Sequence, residues 1–233
     1  MPYPDRRTAA LHQLAKRYSV YPLTFWTALA GALLGARMIY SGTHQYGFLG
    51  WNLCLASIPY LAGLWAEAEH CRRPGHWKRL VLPGAIWLLF LPNAPYIVTD
   101  LIHLSRYRPP VPLWYDAVLA FAFAWTGCLF GVVSLSIMQA RVRAEAGAAA
   151  SWAFALIAIG LCGPGIYMGR VLRWNSWDVF AQPLSMLGTV FGALADPLSH
   201  WPAIAASLIF AGLMLGCYVT YVTLRTEPTN DPA

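Results

Sequence analysis

The 233 residues are 58% hydrophobic and only 11% charged, with a mean hydropathy of +0.48. A soluble domain of this length cannot bury so much apolar side chain in one core, so the composition excludes an ordinary globular protein and makes lipid the natural solvent. The formal charge of +6 does not point to nucleic acid, because the basic residues stand in short clusters beside apolar runs and not along one polar face.

In chain order, residues 1–20 carry Arg6, Arg7, Lys16 and Arg17 ahead of the first apolar run, with no small-residue cleavage site. The first run is therefore expected to be retained as a signal anchor. Runs approaching the ~20 apolar residues that cross a bilayer fall at 21–40, 47–65, 80–102, 113–138, 151–169 and 203–224. The expected fold is an all-α, polytopic transmembrane helical bundle of about six spans. It divides into a basic N-terminal segment (1–20), one transmembrane domain (21–224) and a short polar tail (225–233). Trp and Tyr gather at the ends of the runs, as amphipathic rings do at headgroup level.

Six spans put both termini on one side. That side receives the first four basic residues, then Arg72, Arg73, Lys78 and Arg79, then Arg141 and Arg143, and finally Arg225. The other side receives Arg37, Arg106, Arg108, Arg170 and Arg173. The bias of basic residues toward the cytoplasm places both termini there. Residues 179–194 are too short for an ordinary span and suit an interfacial or re-entrant helix before the last one; a seventh crossing here would move the C-terminus outside. Three spans contain Gly-x-x-x-Gly, at Gly31/Gly35, Gly127/Gly131 and Gly212/Gly216, and packing within the bundle is the expected use of all three. The five cysteines are scattered and show neither disulfide nor metal-site spacing.

The polar chemistry is one-sided. Asp100, His103, Asp116, Arg170, Arg173, Asn175 and Asp178 all fall at the outer ends of the third, fourth and fifth runs. Ionisable groups at membrane depth are costly unless they meet water or one another, so the gathering is either a site or a structural ion-pair cluster. Glu67, Glu69 and Glu145, on the opposite side, read as ordinary loop residues.

The third run, WLLFLPNAPYIVTD (87–100), loses amide donors at Pro92 and Pro95 and should kink or break. If a regular helix resumed, Asn93, Tyr96, Asp100 and His103 would form one polar stripe. Asn93 would then serve either a ligand or the carbonyls freed by the prolines. Asp100 and His103, three apart, are spaced for joint metal ligation or for a carboxylate orienting an imidazole, with Asp116 as the third candidate ligand. They could equally pair with Arg170 and Arg173. Gly163-Pro164-Gly165 should bend or interrupt the fifth run. In GRVLRWNSWD (169–178), the arginines and Asn175 suit an anion, and Asp178 suits either that anion or the cap of a following helix.

Together WNLCLASIP (51–59), the 87–100 segment, LWYD (113–116) and GRVLRWNSWD give the chain a resemblance to a bacterial family of multi-pass membrane proteins catalogued as domain of unknown function 1361. The resemblance implies a helical protein of the bacterial inner membrane and carries no activity with it.

Three functions are compatible with these residues. The first is a small membrane enzyme with an outward pocket, Asp100, His103 and Asp116 acting as acid/base groups or as ligands of a divalent metal. In that reading Asn93, Tyr96, Arg170, Arg173, Asn175 and Asp178 hold an anionic, lipid-like or phosphate-bearing substrate. The second is a small-solute carrier using the proline and glycine breaks, and the third is a non-catalytic scaffold or accessory subunit, with homo-oligomers compatible. No nucleotide is expected, since phosphate-loop and dinucleotide fingerprints are absent, and no serine nucleophile elbow is present.

Overall fold

The computed structural model describes residues 6–73, 75–106, 110–174, eight positions between 181 and 196, and 198–225. All regular structure among them is helical. A basic helix α1 (Arg6–Arg17) leads into α2 (Val20–Ser41), α3 (Gly47–Arg72), α4 (Lys78–Phe90), a short α5 (Asn93–Tyr96), a 3-10 helix (Ile97–Arg106), α6 (Leu113–Arg170) and α7 (Trp201–Arg225).

Five stretches are long and apolar enough to cross a membrane: α2, α3, the 28 residues Lys78–Ser105, α6 and α7. Straight, the 58 residues of α6 would run ~87 Å, nearly three times the ~30 Å of bilayer hydrocarbon. They do not run straight. Gly147 breaks the helix with φ 84° and ψ 179°, a conformation open to glycine, and the two arms, 113–146 and 148–170, fold back on each other. Trp87 shows this directly, since its indole N–H donates to Ser134 of the first arm (3.2 Å) while its ring stacks on Phe154 of the second. Tyr218 of α7 likewise donates to Gln139 and meets the ring of Trp152.

The α6 hairpin is the centre of the bundle, touching α2, α3, α5, the 3-10 helix and α7. Two of its glycine pairs explain how closely. A Cβ on Gly127 would lie 2.5 Å from the Ala94 carbonyl oxygen, and one on Gly165 would lie 2.7 Å from Pro92. Of the expected bend or interruption, the interruption does not occur: α6 continues helically through Pro164 to Arg170, and Gly163 and Gly165 serve close approach to Ser207 and Pro92. The other expectation for glycine holds for one motif only. Gly127 and Gly131 are packed inside the bundle, whereas Gly31, Gly35, Gly212 and Gly216 have nothing among the described residues within 4 Å of where a Cβ would stand.

Buried faces follow helical periods. In α2 the buried residues are Leu23, Ala30 and Arg37, one every two turns. Those of α3 include Leu49, Leu53, Ala56, Tyr60, Gly63 and Glu67, at alternating steps of four and three. Both stripes end on a charged residue, one at each end of the bundle. The third span breaks where its prolines predict: α4 stops at Phe90, and after α5 the chain tightens into the 3-10 helix.

Candidate functional site

The 3-10 helix sets the geometry of the end of the bundle opposite α1 and Glu67. With three residues per turn, side chains three apart eclipse, so Asp100 and His103 stand in line and the regular-helix stripe starting at Asn93 does not form. Asn93 sits back at the break, donating to the Phe90 carbonyl at 3.1 Å, a backbone bond next to, but not on, the Leu88 and Leu91 carbonyls that the prolines free.

Asp100 is buried and takes hydrogen bonds on both oxygens. Asn52 of α3 donates to Oδ2 at 2.7 Å, and Arg170 at the end of α6 donates to Oδ1 at 2.8 Å. His103 Nε2 lies 4.0 Å from Oδ1, and the imidazole meets the ring of Phe48 edge-on. Arg170 lies over the Tyr96 ring at 5.2 Å, a favourable place for a cation. Asn52, Tyr96, Asp100, His103 and Arg170 are therefore one cluster drawn from α3, the third span and α6. The side chains of Arg170 and His103 remain a quarter exposed, so the cluster reaches the surface through these two members.

Asp116 belongs to a second, separate pair. Arg37 of α2 binds it through both prongs, Nε to Oδ1 at 2.6 Å and Nη2 to Oδ2 at 3.1 Å, with side chains only 2% and 1% exposed. Arg37 also stands over the Tyr46 ring at 4.3 Å, and the Tyr46 hydroxyl donates to the His103 carbonyl at 3.4 Å, so Tyr46 separates the two clusters. Burial, then the Asp116 carboxylate, pushes the Tyr46 phenol above its ordinary range and keeps it a donor.

The three expected metal ligands do not converge. Arg37 occupies both oxygens of Asp116, and among the described residues no group of three or more His, Cys, Asp or Glu is placed to hold a metal ion. Arg173 is exposed, at φ 59°, just beyond α6, and contributes to neither cluster. Asn175, Asp178 and most of 179–194 lie outside the described residues.

Sequence reasoning missed a third cluster, at the opposite end. Glu67 is buried and no ordinary loop acid. Arg141 of α6 reaches it at 2.6 Å, Arg17 of α1 at 3.1 Å, and the Tyr18 hydroxyl donates to it at 3.3 Å. Burial, then Glu67, raises the Tyr18 phenol as well. Arg37 was likewise read as a topology charge only. The signal for both was register: each continues the buried stripe of its helix, where a charge requires a partner.

No curated protein and no solved structure matches the chain. A family model described as "Protein of unknown function (DUF1361)" matches residues 51–217, a stretch that contains Asn52, Asp100, His103, Asp116 and Arg170. The chain belongs to the DUF1361 family.

Proposed function

We propose that the chain is a six-crossing protein of the bacterial inner membrane with both termini in the cytoplasm, and that it works as a scaffold or accessory subunit for other membrane components, without catalysis at Asp100, His103 and Asp116. Counting the α6 hairpin as two crossings gives six. The basic residues around α1, the α3–α4 connection and the Gly147 turn favour the cytoplasm for that end. Exposed Trp51, Trp114 and Trp201 begin helices at one end and exposed Trp77 begins one at the other, as two interfacial belts would.

The observation that carries the reading is that both outer acids are consumed by the fold. A general acid or base needs a free position toward substrate, whereas Asp100 and Asp116 have each oxygen bonded to a residue from another helix. The Gly31/Gly35 and Gly212/Gly216 faces are open by contrast, and small residues let a second helix approach closely. A photo-crosslinker placed at position 31 or 212 in native membranes tests this. Discrete adducts from either face are expected; adducts from neither, in a folded protein, would remove the scaffold.

A second reading, an outward anion site, is favoured by Arg170. Its Nε is buried without a hydrogen-bond partner among the described residues, beside a partly exposed guanidinium edge. An anionic lipid-like ligand seated there would be lost in Arg170→Lys, which keeps the charge but not the planar fork. Unchanged ligand retention in that variant would dismiss it.

A further inference from the structure

At the end of the bundle that holds Glu67, a groove of about 300 Å³ runs between the first arm of α6 and the last turns of α7. Its polar lining comes from Gln139 and Arg143 on one side and Tyr218, Tyr221 and Arg225 on the other. Neither Arg143 nor Arg225 makes a salt bridge among the described residues, although Arg17 and Arg141 close by share the Glu67 carboxylate.

The groove is organised before anything enters it. Arg225 is fixed by donating Nη1 to the Tyr221 hydroxyl at 2.8 Å and Nη2 to the Arg17 carbonyl, and the Tyr221 hydroxyl is shared with Ser19 at 2.9 Å. Tyr218 occupies the amide oxygen of Gln139, which leaves the NH₂ group as the part of that side chain facing an acceptor. Two guanidinium groups without a carboxylate partner among the described residues, and an amide donor, thus stand around one small volume. Val222 and Ala140 add apolar surface to the same lining, against which the start of an acyl chain would lie.

We infer that this groove binds the phosphodiester headgroup of an anionic phospholipid from the surrounding leaflet. Phosphate oxygens match guanidinium forks, and basic pockets between membrane helices on the cytoplasmic side suit such headgroups. Among the described residues the groove lining contains no carboxylate that would pair with the ammonium group of a zwitterionic lipid, so net negative lipids are favoured. The site lies at the opposite end from the outer clusters, and the inference stands whether or not the scaffold reading does.

The test is native mass spectrometry of the full chain in detergent, titrated with phosphatidylglycerol, phosphatidylcholine or inorganic phosphate. Phosphatidylglycerol is expected to bind more tightly than phosphatidylcholine. Arg143→Gln, which removes an exposed side chain with no internal ion pair, should weaken phosphatidylglycerol about five-fold, and Arg225→Gln should do so independently. Arg73→Gln removes the same charge at the same end outside the groove and should change nothing. Equal binding of the two lipids, or an equal loss in Arg73→Gln, would reduce the effect to general attraction and overturn the site. Displacement of lipid by inorganic phosphate at equal concentration would assign the groove to a soluble anion and overturn the lipid.

Discussion

Arg37 and Asp116, 79 positions apart in sequence, close a two-pronged ion pair that ties α2 to the start of α6. Removing one partner of such a pair leaves an uncompensated charge in a low-dielectric interior and costs about 3–5 kcal/mol, while replacing both by apolar side chains can be neutral. Arg37→Met and Asp116→Leu are each expected to lower stability by that order, and the double variant to recover most of it. Denaturant unfolding of the purified protein in detergent measures all three.

Glycine contacts make a contrasting pair of predictions. Gly163→Ala and Gly127→Ala would each drive a methyl group into the backbone of a neighbouring element, at Ser207 and Ala94 respectively. A loss of about 1–3 kcal/mol is expected for each. Gly31→Ala and Gly212→Ala meet open space and should stay within about 0.5 kcal/mol. The same unfolding assay separates the two classes, and equal losses in both would contradict the packing described.

Most of the architecture could be read in the chain itself, because a bilayer demands long apolar runs and the prolines of 87–100 must break one. The two runs 113–138 and 151–169 were already separate in the sequence, but the place and form of the turn between them were not. Residues 139–150 stay helical up to and beyond Gly147, and only a positive φ at one glycine reverses the chain. At the end that holds the 3-10 helix, the gathering of Asp100, His103 and Arg170 was legible from sidedness. Which acid met which arginine was not, because that depends on how α2 and α3 rotate, and Arg37 and Asn52 enter the clusters from those helices. Glu67 was misread because its neighbours suggest a loop, whereas its step from Gly63 keeps it on the buried stripe.

Tyr46 gives a pH dependence of definite sign. Its folded-state pKa is raised, chiefly by burial, so the stability it contributes is fully present below the ordinary phenol value of ~10 and is lost as pH rises through the raised one. Tyr46→Phe should unfold less steeply with alkali than the parent protein. Thermal melts across that range, followed by circular dichroism, would show the difference; identical pH profiles would contradict the assignment.

Metal removal should leave the fold untouched. With Asp116 held by Arg37 and Asp100 by Asn52 and Arg170, a chelator is expected not to shift the melting temperature, and Asp100→Ala and His103→Ala should carry no less metal than the parent. Stoichiometric metal that disappears in both variants would reinstate the ligand set suggested by spacing.

The most direct test of the structural role of the outer cluster is a double-substitution cycle on Asp100 and Arg170, read as unfolding free energy in lipid nanodiscs. Catalytic groups are commonly held at the expense of stability, so replacing them leaves a protein unchanged or firmer. A helix-tying pair behaves oppositely. Asp100→Asn and Arg170→Gln should each destabilise by about 2–4 kcal/mol, and the combined variant by clearly less than their sum. Single variants as stable as the parent, or more so, would contradict a tie and return Asp100 to the list of catalytic groups.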